Sequence, residues 1–404
     1  MTHHETHKPL PLQMSRDPLV IARNLLPGCV IFFHVVAPLC GKITPTHLRK
    51  PRKSFFGCFF SQSYATTLVS SGTIQFIASS RYFMAVSSKN NFVLRPSEIP
   101  QAKFRMASTD RNALIALFQA TRGPEWRKSD NWGTSEELGK WYGVDVNGEG
   151  RVVKLSLYNN NLEGSLPPQL GDLGALQHLA LNANWLSGHI PEELGALRNL
   201  EMLSLHNNWL EGPIPEQLGS LANLEKLLLF NNRLTGSIPT KLGALAKLAK
   251  LALSLNRLTG KRFIPKELGD LSHLQMLQLG DNQLDGPIPE TLGALCELKE
   301  LGLNNNKLTE TIPKQLGNMT KLERVWMSRN ELTGSLPPEL AYPRALKLLH
   351  LEGNQLTDIS RVTAETFNAK PWLTDIQLHD NGWTNPPWQV IQGGWFQIIS
   401  FHEG

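Results

Sequence analysis

The amino-acid sequence predicts an α/β solenoid, a stack of near-identical short units that share one parallel sheet. Three observations predict it. A pattern L-x-x-L-x-L-x-x-N-x-L-x-G-x-I-P-x-x-L-G-x-L begins at Val152, Leu176, Leu200, Leu224, Leu248, Leu274, Leu298, Leu322, Leu346 and Leu373. Successive starts lie 24 residues apart, except for one step of 26 and a last one of 27. The ninth position is Asn in every unit, from Asn160 and Asn184 through Asn232 to Asn354 and Asn381. The composition agrees: 41% hydrophobic and 19% charged residues can fill a long core and do not describe a disordered chain.

Each part of the unit has its own physical reading. The L-x-L segment alternates, so two side chains face one way and the residue between them faces solvent, as in a short half-buried strand. One unit cannot bury that face alone, but stacked units can, with strands about 4.8 Å apart. The Asn side chains then line up where the chain turns out of the strand and can hydrogen-bond its backbone. Gly at position 13 (Gly164, Gly188, Gly212, Gly236, Gly260, Gly286, Gly334) suits a tight backbone, and the I-P or L-P pair after it favours extended structure. The closing L-G-x-L predicts a short helical or 3₁₀ turn.

Some units depart from the pattern. Lys261, Arg262 and Phe263 lengthen one unit by two residues and should bulge from the side opposite the sheet. Glu310 stands at a position-13 glycine, Ala341 and Pro343 replace a G-x-L pair, and the next unit reads Asp358-Ile359-Ser360 where I-P is expected. Atypical terminal units are expected where an array ends.

The pattern resembles the leucine-rich repeats of the plant-type subclass, marked by L-x-G-x-I-P. The resemblance covers Val152 to about Pro387. It implies a curved solenoid with the parallel sheet on its concave face and short helical or 3₁₀ turns on the convex face. Residues 106–151 read as a helical, Trp-rich N-terminal cap. Thr109 or Asp110 is expected to cap a helix whose apolar stripe is Leu114, Leu117 and Phe118, with Gly123 ending it. Trp126, Trp132 and Trp141 are expected to cover the first repeat, and Trp372, Trp383, Trp388 and Trp395 the last. Caps of this subclass usually carry paired cysteines around W-x-G-V. Here Trp141-Tyr142-Gly143-Val144 runs straight into Asp145. The stretch from Ala113 to Val144 is also similar to caps of repeat proteins allied to Roco GTPases. The sequence contains no G-x-x-x-x-G-K-[ST], so GTPase activity is not carried over.

Residues 1–105 differ in kind. They carry 13 Lys and Arg against three acids, Glu5, Asp17 and Glu98, which sets the pI near 8.9 although the remainder is net acidic. That charge is therefore no nucleic-acid footprint on the repeats. Cys29, Cys40 and Cys58 lie there, leaving Cys296 in the body. With no C-x-x-C pair, neither a zinc module nor a disulfide framework is expected. Three readings fit this segment: a targeting peptide, a secretory signal with Leu25–Leu39 as its apolar core, or a stretch upstream of translation starting at Met106. No apolar run is long enough to span a bilayer. A cytoplasmic location is expected, with organelle targeting or secretion through 1–105 as alternatives. The division is 1–105, a cap at 106–151, ten repeats at 152–387 and a C-terminal cap at 388–404.

Catalytic and metal chemistry is not indicated. His3, His4 and His7 do not form H-E-x-x-H, Cys296 has no paired base, and His350 with His379 lacks a third ligand. Asn318-Met319-Thr320 is a single glycosylation sequon. No catalytic, cofactor-binding or metal-binding residue is predicted. The expected function is a non-catalytic interaction scaffold for a protein or peptide, read by strand positions 3, 5, 7 and 8. The candidate contact residues there are Tyr158, His206, Lys226, Leu228, Phe230, Arg324, Trp326 and His350. Alternatives are a receptor-like recognition protein and a fragment of a Roco-type GTPase. Trp185 and Trp209 share position 10 and are expected to stack along the ladder.

Overall fold

The computed structural model describes residues 75–79, 82–86, 101–259 and 264–403, with side chains from residue 109 onward. The histidine cluster of residues 3–7, Cys29, Cys40, Cys58 and the insertion at 261–263 lie outside the described residues. Within the N-terminal segment, Gln75–Ser79 and Tyr82–Val86 form an antiparallel hairpin, a unit of its own.

The second unit is the solenoid. Ten parallel strands, one per repeat, run from Val152–Ser156 through Lys226–Leu228 to Asp375–Gln377. Positions 3, 4 and 5 of each repeat pair with the same positions of the next, without slippage, even across the 26-residue step: Lys250 pairs with Met276. The strand Val144–Val146 from the cap adds one antiparallel edge. The leucines at positions 1, 4 and 6, such as Leu224, Leu227 and Leu229, are fully buried, and one continuous core runs the length of the array. The convex side is built of five-residue 3₁₀ turns such as Glu192–Ala196 and Glu216–Ser220, each opened by the Pro of I-P. The glycine of L-G-x-L is required by close approach: a Cβ on Gly195 would sit 2.5 Å from the carbonyl oxygen of Gln217 in the next turn. Ala341 replaces that glycine where the next unit offers a helix, α2 (Arg361–Asn368), in place of a 3₁₀ turn.

The Asn ladder is a closed hydrogen-bond system. Asn232 Nδ2 donates to the carbonyls of Leu205 (3.0 Å) and Leu229 (3.1 Å), and its Oδ1 accepts from the Leu210 amide (3.0 Å). Each Asn thus ties its own repeat to the preceding one. Asn160, the first, has no preceding repeat, and the cap stands in: it exchanges bonds with both the amide and carbonyl of Lys128.

The residue before each Asn, position 8, holds a left-handed backbone in every repeat, with φ between 49° and 70° from Asn159 through Asn231 and Leu255 to Asp380. Position 8 is therefore the corner of the coil rather than a strand position. Past the corner lies a second set of strands that sequence patterning missed. Glu163–Ser165, Trp185–Gly188, Trp209–Pro213 and Arg233–Thr235 form a parallel flank sheet, followed by two shorter pairs. Position 13, within or just after these strands, also has positive φ at Gly164, Gly188, Gly212, Gly236, Gly286 and Gly334, and Glu310 shares it at 65° despite its side chain.

The cap corrects two expectations. Helix α1 spans Gln101–Ala120, so Thr109 and Asp110 are inside it and cap nothing. It ends before Gly123, with Arg122 as the left-handed residue. Asp110 is wholly buried. Its carboxylate accepts from Arg151 Nε and Nη2 and from the Val152 amide, all at 2.9 Å. The helix is thereby bolted to the first strand of the array. Trp126, Trp132 and Trp141 are buried and packed ring against ring with Phe118, as the cap requires. At the other end Trp383 is buried, Trp388 and Trp395 pack partly on the core, and Trp372 stays exposed with Lys370 over its ring.

Candidate functional site

The concave sheet presents positions 3, 5 and 7 side by side, about 4.8 Å from strand to strand. Two aromatic centres stand out, four repeats or roughly 20 Å apart.

The first centre is built on repeats three and four. The His206 imidazole stacks flat on the Phe230 ring, with centroids 4.2 Å apart and planes 14° from parallel. Ser204 Oγ lies 3.0 Å from His206 Nδ1 and fixes the ring. Burial holds the His206 pKa below the ordinary histidine value, because desolvation penalises the charged form. At neutral pH this centre is therefore an uncharged aromatic platform. Leu228 and Lys226 flank it on the same strand. Leu228 and Phe230 are half-buried, not exposed as the strand register alone implies, because neighbouring strands bring their side chains together. Tyr158, two repeats away, is exposed.

The second centre is charged. Trp326 pairs in register with Gly302 on one side and His350 on the other. The Gln278 side chain lies over Gly302, where any Cβ would collide with its amide oxygen. Arg324 forms an ion pair with Glu300. His350 Nε2 lies 3.0 Å from Asp375 Oδ1, and this contact holds the Asp375 carboxyl below its ordinary pKa. His379 is engaged by Asp380 at 2.9 Å. Among the described residues, no three or more His, Cys, Asp and Glu side chains gather as metal ligands would.

Thus the structure brings His206, Lys226, Leu228 and Phe230 together, and separately Arg324, Trp326 and His350, while Tyr158 stands apart. Sequence patterning gives Asp110 and position 8 other roles, a helix cap and a strand position on the binding face, than the buried ion pair and the corner of the coil that they are. The first has its partner 41 residues away. The second did carry a signal in its Asn, Asp and Gly residues, which tolerate positive φ.

The comparisons with known proteins concern this array. A family model described as "Leucine rich repeat" matches residues 296–356, and another of the same description matches 151–173, 199–221, 223–245 and 273–295. The repeats are leucine-rich repeats. A probable leucine-rich repeat receptor-like protein kinase of Arabidopsis thaliana is 40% identical over 73 residues, which is 18% of this chain and 7% of that protein. Among solved structures, the leucine-rich-repeat ectodomain of the Arabidopsis thaliana receptor kinase GASSHO1/SCHENGEN3, in complex with CASPARIAN STRIP INTEGRITY FACTOR 2, matches with TM-score 0.59 and 34% identity. The match covers 68% of this chain and 36% of that one. The PEPR1–AtPEP1 structure matches with TM-score 0.59 and 29% identity, over 68% and 42%. A plant ice-binding protein matches with TM-score 0.60 and 29% identity, over 68% and 87%. The chain spans less than half the length of the GASSHO1/SCHENGEN3 and PEPR1–AtPEP1 chains and 7% of the receptor-like kinase. It shares their curved leucine-rich-repeat solenoid.

Proposed function

We propose that the chain is a non-catalytic recognition scaffold that holds an extended protein or peptide segment along the concave leucine-rich-repeat sheet. The observation that carries this reading is the ten-strand sheet, unbroken in register, with an uncharged aromatic centre at His206–Phe230 and a charged one around Trp326. Two centres roughly 20 Å apart suit a ligand several residues long. The likeness to the GASSHO1/SCHENGEN3 ectodomain, solved in complex with CASPARIAN STRIP INTEGRITY FACTOR 2, and to the PEPR1–AtPEP1 structure supports a recognition role for such a solenoid.

A receptor-like placement outside the cell draws on the same likeness. Asn318, the sequon asparagine, is exposed at the end of a convex 3₁₀ turn and accessible to a glycan. The cap, by contrast, is held by an ion pair and stacked tryptophans, which suits a reducing compartment and the cytoplasmic placement. Sequencing the mature N-terminus from native tissue, with mass analysis of Asn318, separates the two.

The binding reading is tested by titrating a partner recovered by affinity capture. Phe230→Ala and Trp326→Ala should each weaken it by about 2 kcal/mol or more, as truncated hot spots do. Lys241→Ala on the convex side, where Lys241 pairs with Glu216, should change little. The reverse pattern would move the recognition surface off the concave sheet.

A further inference from the structure

The corner between the concave sheet and the flank sheet carries side chains that neither the core nor the concave face uses. Trp185 and Trp209, at position 10 of successive repeats, are 53% and 46% exposed, with ring centroids 5.5 Å apart. Arg233, at position 10 of the next repeat, lies over the Trp209 ring at 5.4 Å. Arg257 continues the row and is exposed. Two residues before Arg257, Leu255 occupies the left-handed corner at φ 55° and is 50% exposed.

Leu255 breaks two local rules at once. A left-handed backbone costs an ordinary L-residue about 1–2 kcal/mol, which Asn, Asp and Gly avoid and which most repeats avoid by using them. A leucine left half exposed and outside the core gains little in return. Local costs without a structural gain point to a site. The neighbours agree, since Trp and Arg are the residues over-represented in binding hot spots. The charge also has a sign. Among the described residues, neither Arg233 nor Arg257 is paired with a carboxylate. Glu211 is in register with Arg233 but forms no ion pair with it, the guanidinium stacking on Trp209 instead.

We propose that this corner, from Trp185 to Leu255 and Arg257, is a second docking surface, and that its occupant is an acidic segment of a protein partner with an apolar side chain among its carboxylates. The indole faces and Leu255 take the apolar group, and the two guanidinium groups take the carboxylates. The chain's own residues 1–105, with 13 basic residues and three acids, have the wrong charge to occupy it. Three repeat steps give the surface a length of roughly 14 Å. It lies beyond the concave face and does not depend on what binds there.

The probe is a displayed library of short random peptides, selected on the whole protein and cleared against a Trp185→Ser/Trp209→Ser variant. The expected result is enrichment of peptides rich in Asp and Glu with Leu or an aromatic. Synthesised, these should lose affinity at least tenfold on the Trp variant and on Arg233→Glu/Arg257→Glu, weaken with salt, and bind Phe230→Ala as tightly as wild type. Leu255→Asn should raise the thermal midpoint while weakening the same peptides, a pairing that a purely structural leucine would not give. Peptides enriched in Lys and Arg, an absence of any selected sequence class, or acidic peptides indifferent to these variants would each overturn the proposal. So would a large fall in thermal midpoint on the Trp variant with peptide binding retained, because the indole pair would then be packing.

Discussion

The two ends of the solenoid solve the same problem differently. Each must cover the core of a terminal repeat and satisfy backbone groups that have no next repeat. At the N-terminal end the core is covered and the backbone groups are met, and the one polar group left over is Trp141 Nε1, buried with no hydrogen-bond partner. Trp141 is 2% exposed, the other cap tryptophans are packed around it, and Asp110, Arg151 and Asn160 take up the polar groups. At the C-terminal end the polar groups are met as well: Trp383 Nε1 donates to the Leu378 carbonyl at 2.7 Å, and Ser360 caps α2 by accepting from the Thr363 amide. The apolar covering is thinner. Helices α3 (Trp388–Gln392) and α4 (Trp395–Phe401) bury Ile391 and Ile398, yet Phe396 remains 75% exposed, and Phe401 and, before the last strand, Trp372 are exposed as well. Polar closure and apolar closure are separable: the N-terminal end has the fuller apolar cover but leaves Trp141 Nε1 unpartnered, whereas the C-terminal end satisfies its Trp383 Nε1 under a thinner cover.

The largest expected effect falls on the closed end. Asp110→Ala removes a two-pronged carboxylate partner of a largely buried guanidinium and orphans the Val152 amide. Breaking such a pair costs about 3–5 kcal/mol, read as a shift in urea midpoint. A loss below about 1 kcal/mol would mean that aromatic packing alone closes the end. Next, Trp141→Ala should cost about 3–5 kcal/mol, whereas Trp372→Ala should stay within about 0.5 kcal/mol. Comparable costs would show that the C-terminal tryptophan is as important to its end as Trp141 is to the other.

Smaller still is the difference along the Asn ladder. Asn232→Ala, in the buried middle, should cost about 1–3 kcal/mol by leaving backbone groups unpaired. Asn381 makes the same kind of bonds, to Leu351, Leu378 and the Leu356 amide, but is partly exposed, so water can replace it. Asn381→Ala should cost measurably less in the same urea titration, and equal costs would place Asn381 in as dry an environment as Asn232.

What was legible in the sequence follows from which interactions are local. Leu224, Leu227, Leu229 and Asn232 repeat their spacing because every repeat solves the same packing problem, so strand, core face and ladder could all be read directly. The convex 3₁₀ turns followed from I-P and L-G-x-L. The flank strands were hidden because their side chains alternate over only three to five residues and carry no run of leucines like that of the concave strands. Asp110 looked like a helix cap because local rules assign Asp that role, whereas its actual partners lie across the fold. On the concave face, position gave the residues but not their exposure, which His206 and Phe230 set for each other by stacking.

The smallest expected effect compares the two centres of the concave face through pH. Burial lowers the His206 pKa, so the folded state disfavours the protonated ring. Its contribution to stability is fully present above the ordinary histidine value near about 6.5 and is lost as pH falls through the lower folded value. Asp375 is also lowered, by its contact with His350, so its contribution is present above the ordinary carboxylate value near about 3.9 and is lost only in stronger acid. Between pH 7.5 and 5 the aromatic centre should therefore weaken while the Asp375 contact stays intact. NMR titration of the His206 ring and the Asp375 carboxyl reads both directly. Phe230→Ala should admit water and return the His206 midpoint toward its ordinary value without moving that of Asp375. A His206 midpoint at or above the ordinary value in the wild type would mean that the stack does not desolvate the ring, and the contrast between the two centres would be one of contacts alone.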